Sequence, residues 1–167
     1  DVNGIAGRAR ETVERTEEII DEIYRADCMP ILIGGDHMTT IPATRSLSKT
    51  MQGSMGFVLF DTHLDTAPDV DGEVNSHCSP VHRVLDLPNV NGENVVIIGA
   101  HGAANPLYEK EVADRHGVTI YTVRDIDRMG IDAVADEAIR IASTGTEGVY
   151  CSVDIDVLDG AFAWGTC

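Results

Sequence analysis

Phe57-Val58-Leu59-Phe60 is an uninterrupted apolar run that leads directly into Asp61-Thr62-His63-Leu64-Asp65, and this junction limits the possible folds more than any other stretch. Apolar residues at consecutive positions read as a strand buried on both faces, the environment of a parallel sheet. Such a strand has no ordinary use for three ionisable groups at its end, because each is costly to desolvate without a partner. In an extended segment alternate residues project to one side, which would aim Asp61, His63 and Asp65 together. Two carboxylates and an imidazole converging at a strand end suggest a metal site; a solvated turn after a strand is the plainer alternative.

The flanking sequence repeats the theme. Val13, Ile19, Ile20 and Ile23 recur near helical spacing and predict an amphipathic helix over residues 6–26. Residues 28–33 read as a short buried strand ending in Gly34-Gly35-Asp36-His37, with a helix from there to about Lys49. Residues 66–78 carry turn formers without periodicity and predict a loop, which delivers Asn75-Ser76-His77-Cys78 and then a short helix through Leu85. Further strands are expected at 94–99, 118–123 and 148–153, with helices at 106–116, ended by Gly117, and at 131–141. The last strand runs into Asp154-Ile155-Asp156.

Strands alternating with helices imply βαβ units: an α/β fold of three layers, α/β/α, around a mostly parallel sheet. Right-handed crossovers bring the strand C-termini to one edge, where ligands bind in such sheets. The expected organisation is a single domain over 1–167, without internal repeats.

Composition narrows the partners. A formal net charge of -16 opposes nucleic acid or an anionic membrane and suits a cationic substrate or bound cations, though solubility alone also accounts for it. No apolar run is long enough to span a membrane. No secretory leader is visible, and Cys28, Cys78, Cys151 and Cys167 form no Cys-x-x-Cys pair, so reduced, buried thiols in the cytoplasm are expected.

His37, the Asp-x-His-x-Asp set and Asp154/Asp156 together supply more carboxylate and imidazole ligands than one open catalytic ion needs. The mix suits Mn²⁺, or Fe²⁺, Co²⁺ or Ni²⁺, better than thiolate-bound zinc, and a pair of ions sharing bridging aspartates would relieve the repulsion. Gly-Gly-Asp-His at 34–37, Asp-Thr-His-Leu-Asp at 61–65 and Ser-Val-Asp-Ile-Asp-Val-Leu-Asp at 152–159 resemble, in order, the three motifs of the ureohydrolase family, the arginase and agmatinase group. The single-zinc deacetylase relatives of that fold lack this Asp-x-His-x-Asp pattern.

The resemblance implies a binuclear manganese enzyme hydrolysing a guanidino compound to urea and an amine, and a homo-oligomer, trimer or hexamer. It assigns His37, Asp61, Asp65 and Asp154 to one ion and Asp61, His63, Asp154 and Asp156 to the other, with His77 passing a proton to the leaving amine. Asp36 is expected to orient a metal ligand and Asp159 to brace the turn after the last motif; His82, His101 and His116 receive no role. The loop at 66–73 does not reproduce the Asn and Ser set of arginases, so the chain resembles agmatinase-like members acting on agmatine or a guanidino acid.

Gly160, Trp164 and Cys167 stand where the family has Pro, Pro and Gly, which would loosen the turn carrying Asp154 and Asp156. The family's later Glu partner for the guanidinium is absent from these residues, and the resemblance implies a chain partial at both termini. A metal-binding but catalytically incomplete scaffold or partner subunit is therefore the alternative reading, and a metal-free α/β binding domain a third.

Overall fold

The computed structural model describes residues 7–166, so Ala6 and Cys167 of the expectations above lie outside the described residues. The chain divides into two compact units, Asp1–Gln52 with Asp65–Pro88, and Gly53–Leu64 with Asn89–Cys167. Among the described residues no helix is long and apolar enough to cross a membrane.

In the first unit, α1 (Ala9–Arg25) buries Val13, Thr16 and Ile20; of the expected stripe Val13 and Ile20 are buried, while Ile19 is exposed. It packs on α2 (Thr40–Thr50), which buries Ile41, Ala43 and Ser46. The Ser46 hydroxyl donates to Asp21 Oδ1 at 2.6 Å, and Lys49 forms an ion pair with Glu17, so polar contacts close the far end of the pair. A one-turn 3-10 helix, His37–Thr39, precedes α2. α3 (Pro80–Leu85) contributes buried Val81 and Val84 and begins on Pro80, whose fixed φ suits a first helical position.

The expected buried strand at 28–33 is not formed. Those residues have no regular structure, and Met29, Ile31 and Ile33 are 82%, 80% and 94% exposed. A strand needs a neighbour to pair its backbone groups. Apart from the Val70–Glu73 bridge, the described residues of this unit form no ladder for it to join.

The second unit carries β1 (Met55–Phe60), β2 (Val90–Ala100), β3 (Thr119–Thr122) and β4 (Gly148–Val153) in one sheet of order β3-β2-β1-β4, every pair parallel. Leu59 stands between Ile97 and Ser152, and Phe60 between Ile98 and Val153. Val58, Val96 and Ile98 pack against Val134, Ala138 and Ala142 of α6 (Ile131–Ser143), three positions four apart on one helical face. Gly56 makes this possible: a Cβ there would lie 1.9 Å from the carbonyl oxygen of Ala142. Asn94 holds the end of the same helix, donating to the carbonyls of Ile141 (2.8 Å) and Thr144 (3.0 Å).

α4 (Leu107–His116) ends at Gly117 in the left-handed conformation, as the sequence implies. The expected strand at 118–123 is shorter, because α5 (Val123–Met129) begins inside it. Thr122 Oγ1 accepts the Asp125 N–H while the Asp125 carboxylate accepts the Thr122 N–H, a capping box that stops the strand. The α/β class with a parallel sheet is as expected.

Candidate metal centre

The chain adds β2 and β3 on one side of β1 and then β4 on its other side, so the strand order reverses between β1 and β4. Ligands in parallel sheets bind outside the carboxyl ends of strands at such a switch point. Asp61 directly follows β1 and Asp154 directly follows β4. The Asp154 N–H donates to the Phe60 carbonyl at 2.8 Å and the Asp61 N–H to the Ile98 carbonyl at 3.0 Å, so sheet bonding continues into both motifs.

The chain then turns. Asp61 Oδ1 accepts the His63 N–H at 2.7 Å, and Asp154 Oδ1 accepts the Asp156 N–H at 3.1 Å. Each first aspartate thus closes its own turn, the local bonding that Asp favours. The segment after Phe60 is therefore not the extended strand end that alternation suggested. The two turns are tied together: the Thr62 N–H donates to Asp156 Oδ1 at 3.1 Å. His63 Nδ1 lies 3.0 Å from Asp156 Oδ2 and 3.3 Å from Asp61 Oδ1, and Asp61 is almost wholly buried.

These distances test the donor set. Neighbouring ligands around an octahedral ion with bonds of about 2.1 Å stand about 3.0 Å apart. One ligand atom from each of Asp61, His63 and Asp156 lies within 4.8 Å of the others, and oxygen with imidazole donors suits Mn²⁺ and its neighbours, so the residues fit a divalent cation. Electrostatics agree. Burial, and then the nearby Asp61 and Asp154 carboxylates, push the Asp156 carboxyl up to about 6, against the opposing pull of the Thr62 N–H and His63.

Of the remaining expected ligands, Asp154 lies in the second unit and His37 and Asp65 in the first. His37 Nδ1 and Asp65 Oδ2 are 2.6 Å apart and both buried. Asp65 adopts φ +50°, and its carbonyl accepts the Val81 N–H (3.0 Å) and the His82 N–H (3.3 Å), which anchors it to the start of α3. Asp36 Oδ1 accepts the Met38 N–H at 2.9 Å and caps the turn that carries His37, so it supports that residue through the backbone. His77 is exposed and lines a cavity of about 520 Å³ with Arg8, Asp36, Glu73, Asn75 and Ser76. Asp159 braces its turn, its side chain accepting the Ala161 N–H at 2.8 Å. The cysteines are not uniformly buried: Cys28 and Cys151 are exposed and Cys78 is half-buried, and all three are free thiols.

Two residues without an expected role touch the 61–64 turn. Thr62 Oγ1 lies 2.6 Å from His101 Nδ1. Asn105 accepts the Leu64 N–H through Oδ1 at 3.0 Å and donates through Nδ2 to the Thr62 carbonyl at 3.0 Å. Nothing local in Gly99-Ala100-His101-Gly102-Ala103-Ala104-Asn105 marks this, since the partners lie about forty residues earlier.

Residues 1–167 match the family model described as "Arginase family". Curated relatives include a formimidoylglutamase of Halalkalibacterium halodurans, 31% identical over 99% of this chain and 50% of its own length. A guanidinopropionase of Pseudomonas aeruginosa is 30% identical over 93% of this chain and 48% of its own. An arginase of Brevibacillus brevis is 32% identical over 89% and 53%. Among solved structures, formimidoylglutamase from Bacillus subtilis superposes with a TM-score of 0.90 at 23% identity, covering 99% of this chain and 51% of that one. Trypanosoma cruzi formiminoglutamase with Mn²⁺ superposes at 0.85 with 20% identity, over 96% and 52%. The chain thus spans about half the length of the relatives it matches.

Proposed function

Because this chain belongs to the arginase family, we propose that it is the part of a binuclear-metal amidinohydrolase that carries the metal ligands. The observation that carries the reading is the cluster of Asp61, His63 and Asp156 at the carboxyl ends of β1 and β4. His37, Asp65 and Asp154 are proposed to complete the six-residue set, with Asp61 and Asp154 shared between two ions. Mn²⁺ is the favoured ion, supported by the donor chemistry and by the Mn²⁺ in the Trypanosoma cruzi relative. When bound, the metal pair supplies an activated water and polarises the amidine carbon.

The chain's own residues do the rest. Asp61 and Asp154 close the turns that present the other ligands. The acidic surroundings attract and orient a cationic amidinium. His77, accessible on its cavity, is proposed to pass a proton to the leaving amine, a role that an imidazole suits near neutral pH.

The proposed substrate is a linear guanidino compound, agmatine or a guanidino acid. Support comes from the loop at 66–73, which lacks the arginase-like Asn and Ser set, and from the guanidinopropionase among the relatives. The formimidoylglutamase relative favours a second reading, in which the amidine carbon belongs to a formimidoyl group and the product is formamide in place of urea. A homo-oligomer, trimer or hexamer, is proposed on the resemblance alone, and sedimentation of the purified protein tests it.

The deciding experiment loads the protein with Mn²⁺ and measures metal content together with urea release from agmatine, arginine, 3-guanidinopropionate and 4-guanidinobutyrate, and formamide release from formimidoylglutamate. Two ions per chain with turnover of one guanidino compound is expected. Stoichiometric metal without turnover of any of them leaves the metal-binding scaffold; no stoichiometric metal removes both readings.

A further inference from the structure

We propose that Asn105 is a positioning residue that sets the 61–64 turn, and hence the His63 imidazole, for metal binding; the proposal rests on the metal-binding reading above. The turn is held from both sides. On one side the Thr62 N–H is fixed by Asp156 Oδ1 at 3.1 Å. On the other, the Asn105 carboxamide uses both of its ends: Oδ1 accepts the Leu64 N–H at 3.0 Å, and Nδ2 donates to the Thr62 carbonyl at 3.0 Å and to the His101 carbonyl at 2.9 Å. The His101 N–H donates to the same Thr62 carbonyl at 3.1 Å. Residues 62 and 64, which flank His63, are therefore bonded to the segment that leaves β2 at Ala100.

A carboxamide suits this place because it alone, at this length, offers a donor and an acceptor without a charge. A carboxylate would turn an acceptor toward two carbonyls, and an apolar residue would take the partner from the Leu64 N–H and leave the Thr62 carbonyl with the His101 N–H. Metal sites depend on such supports, whose loss lowers affinity by about ten- to a hundredfold. Asn94 supplies a contrast within the same unit. It also donates to two carbonyls, those of Ile141 and Thr144, but these lie at the end of α6 and in no metal-bearing turn.

The test compares Asn105→Ala with Asn94→Ala by Mn²⁺ titration, the electron paramagnetic resonance spectrum of bound Mn²⁺, and hydrogen exchange of the Leu64 amide in metal-free protein. Asn105→Ala is expected to speed Leu64 exchange, weaken Mn²⁺ about ten- to a hundredfold and alter the spectrum. Asn94→Ala is expected to lower the melting temperature and leave all three unchanged. Equal Mn²⁺ affinity and spectra in Asn105→Ala and wild type overturn the proposal, as does an equal loss in Asn94→Ala. If Asn105→Ala does not fold, Asn105→Asp takes its place under the same criterion: weaker Mn²⁺ binding supports the proposal and wild-type binding overturns it. Wild-type protein that binds no Mn²⁺, while Leu64 exchange still depends on Asn105, defeats the metal reading and with it the role proposed here, and leaves the clamp as a purely structural device.

Discussion

Ile31-Leu32-Ile33 and Val58-Leu59-Phe60 look alike in the sequence: each is an apolar run that leads within four residues to an aspartate and a histidine. Their fates differ. Leu59 is wholly buried, paired through its backbone with β2 on one side and β4 on the other, whereas Ile31 and Ile33 lie exposed in a segment that joins no strand of the described residues. Composition thus marks a segment as fit for burial, and only neighbouring strands turn that fitness into a buried strand. The polar ends behave oppositely. Asp36, Asp61 and Asp154 each accept the N–H two residues on, whatever happens to the run before them. The turn chemistry is local and the strand is not.

The largest effect that sharpens this contrast is expected of Leu59→Ala. Removing a fully buried Leu side chain costs about 2–5 kcal/mol, so a loss of about 3 kcal/mol in urea unfolding is expected of Leu59, which is wholly buried on the central strand. A loss below about 1 kcal/mol would mean that β1 is not the centre of the sheet.

Next comes the metal. If the β1 and β4 ends hold a cation, Mn²⁺ at about a hundred times its dissociation constant stabilises the fold by about 2.7 kcal/mol, and chelation removes this gain. His63→Ala, which takes the imidazole from beside Asp61 and Asp156, is expected to abolish most of the Mn²⁺-dependent rise in melting temperature. An undiminished rise would place the cation elsewhere.

Asp36→Ala follows. Loss of a capping carboxylate costs about 1 kcal/mol, and the hydrogen bond at stake is the one from the Met38 N–H. If the turn at His37–Thr39 is as local as its bonding suggests, unfolding shifts by that amount and the exchange rates of β1 amides do not change. Faster exchange in β1 would show that the two regions are less independent than the comparison implies.

How much could be read beforehand follows the same division. β4 falls on its expected residues, and α6 follows its periodicity, because the helical spacing of Val134, Ala138 and Ile141 is a property of the segment itself. α5 was hidden behind β-branched Val118 to Val123, although Thr122-Val123-Arg124-Asp125 carries a capping-box pattern that identifies the helix start. In the candidate site, the motif aspartates and histidines were visible by residue type and order. Asn105 was not, since its partners are Thr62 and Leu64, and no short-range pattern links residues that far apart.

The smallest effect is expected of Ile31→Ser. Ile31 is 80% exposed and its segment joins no strand of the described residues, so it has little buried area to lose, and a change within about 0.5 kcal/mol follows for a surface position. The same substitution in a strand buried like β1 would cost several times more, because lost transfer energy, a cavity and an unpaired hydroxyl would add. Urea unfolding of Ile31→Ser beside Leu59→Ala therefore reads the difference between the two runs in one unit of energy. A loss near 3 kcal/mol for Ile31→Ser would show that residues 28–33 are buried in solution against a surface of their own, and the physical distinction drawn between the two runs would fall.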